Sequence, residues 1–263
     1  MGETESLLVI TPSRLKRGRD GTLLLEKAIL SIFHQSIASN LLIDVVVGID
    51  PGSRVSEDLQ FPKTVRFVQS GVASQAAALN AAAKSLNHTY LAILEDDDEW
   101  HNEFLAVAIE ALKQVDFISS TQLQVDAQGQ AVCIFDFPTP SGWVMRRKVW
   151  ESIGAFNESY RLHLDNEWLG RLGESGFKRG HLIEATAPLD RRIMMIHRPT
   201  LNLYLTQSGP SSGVFRHQFL IPLVRRLVHE GSGLHSIGVD SAAKEQSKIE
   251  TAQLKERFGR VPW

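Results

Sequence analysis

The chain has 263 residues, 43% of them hydrophobic, with 28 lysines and arginines against 30 aspartates and glutamates. That length and composition suffice for a sizeable core, and a net charge of −2 excludes the basic excess of a nucleic-acid binder, so no nucleic-acid partner is expected. One cysteine, Cys133, excludes a disulfide framework and a cysteine-based zinc site and fits a reducing, cytoplasmic compartment. The opening "MGETESLLVITP" lacks the basic segment and apolar run of a signal peptide. Gly2 and Ser6 meet a myristoylation pattern only formally. No apolar run reaches the roughly 18 residues of a membrane span.

"SLLVITP" (6–12) reads as a short strand closed by a proline, followed by the basic loop "SRLKRGRDG". Leu25, Ala28, Ile29, Ile32 and Phe33 recur at helical spacing, with Thr22 as the expected N-cap. "LIDVVVGID" (42–50) is a second strand ending in the turn "DPGS", and "TVRFVQ" (64–69) a third. The alanine-rich "SQAAALNAAAKSL" (74–86) is a strong helix former, and "TYLAILED" (89–96) a fourth strand. Strands alternating with helices predict a mostly parallel sheet covered on both faces, with ligands at the carboxyl ends of its strands. The second half predicts a helix over 103–114, a hairpin around "DAQGQ" within 115–135, a strand turning into a short helix over 141–156, and a helix over 165–177. Beyond residue 206, "FRHQFLIPLVRRLVHEG" reads as a helix interrupted by Pro222, and "SAAKEQSKIETAQLKERFG" as a polar helix.

Behind the fourth strand stand five consecutive acids, Glu95, Asp96, Asp97, Asp98 and Glu99. Carboxylates this crowded raise one another's pKa unless a cation is shared. Oxygen donors at a strand end suit Mg²⁺ or Mn²⁺, ions that keep several waters and complete their shell with substrate phosphates. The bland alternative is that Asp98 caps the 103–114 helix.

In order along the chain come "VITPSR", "AILSIFHQS", "VVVGIDPGS", "SQAAALNAAAKS", "AILEDDDEW", "GWVMRRKVWESIGAFNES" and "LDNEWLGRL". This series resembles the family 2 glycosyltransferases, and the resemblance covers residues 7 to about 210. It implies a GT-A fold: α/β, Rossmann-like, with a mostly parallel central sheet flanked by helices and a C-terminal helical extension. The implied halves are residues 1–100 for the nucleotide sugar and 101–209 for the acceptor, with 210–263 as the extension. It also implies an enzyme that moves a sugar from a nucleotide-diphosphate donor, UDP-sugar foremost, to a carbohydrate or lipid-linked acceptor hydroxyl, inverting and using Mn²⁺ or Mg²⁺.

By the same resemblance, Thr11, Pro12 and Asp50 hold the nucleotide base, while Arg14, Asn80, Asp96 and Asp97 face the diphosphate. Asp98 is the first metal ligand and Asp96 the second, although the run aligns equally well through Glu95, Asp97 and Asp98. His197 in "IHRP" is a further metal candidate. Asp165, six residues before Arg171, matches the family's general base, with Glu167 as the alternative. The family's glutamate before that base is Leu164 here, and Gln75 and Leu79 stand where a basic residue is usual. Those departures keep open a catalytically inactive GT-A-like binding domain. A sugar-phosphate nucleotidyltransferase would need a glycine-rich loop after the first strand, which "TPSRLKRGRDG" matches poorly. The apolar "FLIPLVRRLV", with Arg225 and Arg226, is expected to form a core or homodimer helix, or to lie on the inner face of an anionic membrane.

Overall fold

The computed structural model describes residues 5–18, 21–56, 59–185, 212–229 and 237–263. Strands β1 (Ser6–Ser13), β2 (Leu42–Ile49), β3 (Val65–Gln69) and β4 (Tyr90–Ile93) alternate with helices α1 (Leu24–Phe33) and α2 (Gln75–Lys84). A short β5 (Glu99–Trp100) and α3 (Phe104–Ala111) lead to β6 (Phe117–Ser120), β7 (Gln122–Val125) and β8 (Ala131–Phe135). Then follow β9 (Trp143–Arg146), α4 (Arg147–Ile153), α5 (Leu164–Glu174), β10 (Arg179–Ile183), β11 (Ser212–Arg216), β12 (Val224–Leu227) and α6 (Ser241–Phe258).

Eight strands form the central sheet in the order β11-β10-β6-β9-β4-β1-β2-β3. Its pairings are parallel except at β9, which runs antiparallel to both β4 and β6. A parallel sheet buried on both faces needs near-continuous apolar strands, and "LLVI" in β1 and "VVVGI" in β2 supply them. Leu7, Val9, Val45 and Val47 pack with Leu25, Ala28 and Ile29 of α1 and Phe104, Leu105 and Ala108 of α3. Leu8, Ile10, Val46 and Ile93 face the other way, toward Ala76 and Leu79 of α2, Trp168 of α5 and Leu254 of α6. Each such aliphatic side chain, fully buried, contributes about 1.5–3 kcal/mol.

The alanines of α2 serve close packing. A Cβ at Gly48 of β2 would stand 2.1 Å from the Ala78 carbonyl oxygen. Glycine on the strand and alanine on the helix therefore bring α2, and the loop before it, against the end of β2. In the second half, Trp143, Phe117 and Trp168 form an aromatic centre, with ring centroids 5.2 Å apart for Trp143–Trp168 and 5.4 Å for Phe117–Trp143.

A second, four-stranded sheet has the order β5-β12-β7-β8. The hairpin around "DAQGQ" is its β7–β8 pair, where Asp126 Oδ1 accepts from the N–H groups of Gln128 and Gln130, both at 2.9 Å. Two expectations are corrected. The N-cap of α1 is Leu23, whose N–H is met by the Glu26 carboxylate at 3.2 Å, while the Thr22 carbonyl accepts from Gly18. The segment expected as a helix around Pro222 instead begins with the last two residues of β11, on the edge of the main sheet, and carries β12 in the second sheet. Pro222 lacks an N–H and breaks the helical ladder, and Val224–Leu227 pairs instead with β5 and β7. The helix expected to lie on a membrane or at a dimer face is therefore not formed there. Among the described residues no helix is long and apolar enough to cross a membrane.

Candidate active site

The carboxyl ends of β1, β2 and β4 open on a cavity of about 300 Å³. Pro12, Arg14, Asp50, Asp96 and Asp97, five of the residues singled out in the sequence, line it together. Asp50 stands at the mouth in a β-turn with Pro51, in which Ser53 N–H reaches the Asp50 carbonyl at 3.1 Å. Gly52 takes φ +77 there, as the third residue of such a turn requires.

The loop after β1 is held by Ser13. Its hydroxyl donates to Asp96 Oδ2 at 2.5 Å and accepts from the Leu15 N–H at 2.9 Å. Leu15 sits at φ 54, a region non-glycine residues rarely adopt. This tight turn brings Arg14 and Lys16 of the basic loop onto the cavity wall.

Each acid of the run has its own surroundings. The Glu95 carboxylate accepts from the Gln75 side-chain amide, and the Glu95 N–H donates to the Ser141 hydroxyl oxygen at 3.1 Å. Burial and the neighbouring Asp97 charge push its carboxyl up to about 7, and the same two causes raise Asp96 to about 6. Asp97 lies at the cavity with His229 Nε2 at 2.8 Å from its Oδ2. Asp98 points inward, 1% exposed. The Ser141 hydroxyl donates to its Oδ2 at 2.5 Å, and the Leu227 N–H to its Oδ1 at 3.0 Å. Burial, with Asp97 and Glu95 nearby, holds its carboxyl well above the usual range.

Several sequence expectations are revised by this geometry. Asp98 neither caps α3, whose N-cap is Glu103, nor faces the cavity. Both its oxygens are spent tying β4's end to β12 and to Ser141, so the cavity-facing register runs through Asp96 and Asp97. Thr11 is fully buried inside β1 rather than at the cavity. Asn80 is also buried, clamping the Phe156 backbone through both its N–H and its C=O at 2.9 Å. His197 lies outside the described residues.

Asp165 stands in the first turn of α5, half-buried, its Oδ1 accepting from the Asn166 N–H at 2.8 Å. Burial raises its pKa, and its charge is felt at Glu95 and meets that of Arg226. Glu167, the alternative base, is engaged elsewhere. It forms a two-point ion pair with Arg171, at 2.9 Å and 2.8 Å.

The cations that sequence reasoning missed come from far along the chain. Arg161 precedes α5, donates to the Ala73 carbonyl at 2.9 Å and lines the cavity beside Ser74 and Gln75. Arg226 and His229 arrive on and after β12. Arg226 Nη1 is buried without a hydrogen-bond partner among the described residues. The cavity thus has acids on one wall and Arg14, Lys16, Arg161 and Arg226 around them. A polyanion bound together with a cation would satisfy both sets.

Among the described residues, no group of three or more His, Cys, Asp and Glu is placed to cage a metal ion. Asp96 and Asp97 beside the cavity offer the donor chemistry of an ion held by one or two carboxylates and by substrate phosphates.

The mostly parallel sheet flanked by helices defines a GT-A-like fold. Among solved structures, S. aureus TarS matches with a TM-score of 0.55 at 12% identity, over 96% of this chain and 43% of TarS. TarS 1–349 in complex with UDP matches with a TM-score of 0.55 at 11% identity, and its complex with UDP-GlcNAc with 0.53 at 11%. Those two alignments take in 97% of this chain and 72% and 73% of the shorter TarS chains. The chain therefore spans less than half of the longer TarS. No family model and no curated protein sequence matches it.

Proposed function

We propose that the chain is a glycosyltransferase that moves a sugar from a nucleotide-diphosphate donor to an acceptor hydroxyl. The observation that carries this reading is the mixed-charge cavity at the ends of β1, β2 and β4, with Asp96 and Asp97 opposed by Arg14, Lys16, Arg161 and Arg226. A diphosphate is the ligand that such a set of cations holds, and a divalent ion is what lets it lie beside carboxylates. TarS, with the same fold, binds UDP and UDP-GlcNAc, which makes a UDP-sugar the first donor to test.

In this reading Pro12 and Asp50 flank the nucleoside, and the four cations take the diphosphate. Asp96 and Asp97, with His229 beside them, would hold Mn²⁺ or Mg²⁺. Such an ion, when bound, stabilises charge developing on the leaving diphosphate. Arg226 offers its unpartnered Nη1 to the same oxygens. Asp165 takes the proton from the acceptor hydroxyl as that oxygen attacks the anomeric carbon from the side opposite the diphosphate. Burial raises its pKa, which makes it a stronger base than an exposed aspartate. A single displacement of this kind inverts the anomeric configuration. Carbohydrate or lipid-linked hydroxyl compounds are the acceptors to offer.

The test is turnover of a panel of nucleotide-diphosphate sugars with Mn²⁺, comparing wild type with Asp165→Asn. The variant should bind nucleoside diphosphate normally and lose roughly 10²–10⁴ in kcat, the usual worth of a general base. Near-normal turnover would remove Asp165 from that role. Nucleotide binding without turnover of any donor in the wild type would favour an inactive binding domain.

A further inference from the structure

The loop leading into α5 contributes Arg161 and Leu162 to the cavity, and two residues after His163 stands Asp165. This stretch has no capping side chain of its own, since the N-cap His163 makes no side-chain cap bond. Backbone N–H groups at a helix start are left without intrahelical partners. The N–H groups of the approach to the helix, those of Arg161, Leu162 and the N-cap His163, are met from the other end of the chain. Glu250, on the buried side of α6 and 1% exposed, accepts three of them. Its Oε1 takes the Arg161 N–H at 2.7 Å, and its Oε2 takes Leu162 at 3.0 Å and His163 at 2.8 Å.

The surrounding contacts fix both partners. Gln246 Nε2 donates to Glu250 Oε1 at 2.8 Å, holding the carboxylate along α6. His163 Nε2 meets Ser247 Oγ at 2.8 Å, and its Nδ1 meets Asn166 Oδ1 at 3.0 Å. Asn166 Nδ2 in turn donates to the Pro262 carbonyl at 2.7 Å. The segment carrying the proposed base is thus gripped by α6 on one side and by the C-terminal residues on the other. Leu254, one turn beyond Glu250, anchors α6 in the core with no exposure.

We infer that Glu250 is a positioning residue for the transfer reaction, its carboxylate fixing the Arg161–His163 backbone and through it the place of Asp165 and the Arg161 wall of the cavity. The inference rests on the glycosyltransferase reading. Hydrogen bonds to an ionised acceptor are the stronger kind, and a reacting group misplaced by about 1 Å can cost on the order of 10² in rate. An amide in place of the carboxylate keeps one acceptor oxygen and turns an N–H₂ donor toward backbone N–H donors. Glu250→Gln is therefore close in shape and opposite in hydrogen-bonding sense.

The experiment compares wild type, Glu250→Gln and Leu254→Ala, the last a truncation of the same helix that leaves the carboxylate in place. Three quantities are read well below each melting midpoint: amide hydrogen exchange at residues 161–163, donor KM, and kcat. For Glu250→Gln the expected result is faster exchange at those amides and a kcat lower by roughly 10–10²-fold, with donor KM within about fivefold. Leu254→Ala should lower the melting midpoint yet keep kcat within about threefold. Unchanged exchange or unchanged kcat in Glu250→Gln overturns the inference, and so does an equal kcat loss in Leu254→Ala. A wild type that turns over no donor removes the glycosyltransferase reading, and this inference with it.

Discussion

His217 and Asp165 show how burial sets the chemistry of single side chains. His217 lies 6% exposed. Burial, with His101 nearby, depresses its pKa to about 4. A histidine whose folded pKa is lowered stays neutral in the fold while the unfolded chain takes up a proton near its ordinary value of about 6.5. Stability should therefore fall as pH drops from about 6.5 to about 4, by up to about 1.4 kcal/mol per pH unit from this group. Thermal melts of His217→Phe across that window should show a shallower acid slope than wild type. An equal slope would place the titration elsewhere. In the sequence, the spacing to Arg171 marks Asp165 as a candidate base by resemblance, and Glu167 is not separable from it there. Only the structure shows Glu167 locked to that same arginine. Asn80 misled for a related reason. The family resemblance placed it at the diphosphate, but it is a buried clamp on the Phe156 backbone, a role that depends on a partner 76 positions away.

Among the elements, the first hundred residues were the most readable. Buried parallel strands such as "LLVI" and "VVVGI" carry a strong apolar signal, and α2 has little but good helix formers. The close contact of α2 with β2 depends on Gly48. Gly48→Ala would drive a methyl into the Ala78 carbonyl, and overpacking of that kind costs about 1–3 kcal/mol. Since Ser74 and Gln75 at the start of α2 line the cavity, the same variant should weaken nucleoside-diphosphate binding as well as lower the melting midpoint. A stable variant with unaltered binding would show that α2 adjusts without moving the cavity wall. The segment around Pro222 was misread because short strands flanking a proline present apolar residues at spacings a helix also shows, whereas the polar helix after it was read correctly. That misreading hid the cations. Arg226 belonged to an expected membrane or dimer helix, whereas β12, pairing with β5 and β7, carries it to the acids. Asp98, expected to be the metal ligand, is the residue that secures this arrival, through the Leu227 N–H.

For the whole molecule, the near-neutral net charge of −2 conceals a local separation of sign. The acids come from one strand end, and the opposing cations from the loop after β1, the approach to α5 and β12. Folding therefore collects a mixed-charge cavity that composition cannot show. Pro12, Arg14, Asp50, Asp96 and Asp97 of that cavity were singled out in the sequence, whereas Arg161 and Arg226 reach it through packing that the sequence does not display. Crowded buried carboxylates and a buried, unpartnered guanidinium nitrogen are costly apart, and a diphosphate bound with a cation offsets both costs at once. The central claim is thus that nucleoside diphosphate and divalent cation bind together at Asp96 and Asp97. The measurement that tests it most directly is calorimetric titration of UDP, GDP and dTDP into the wild type and Asp97→Asn, each with Mn²⁺ and with EDTA. The account predicts that one diphosphate binds the wild type with Mn²⁺, that EDTA weakens it at least tenfold, and that Asp97→Asn removes most of that difference. Binding that is equally tight in EDTA, or equally dependent on Mn²⁺ in Asp97→Asn, would contradict it.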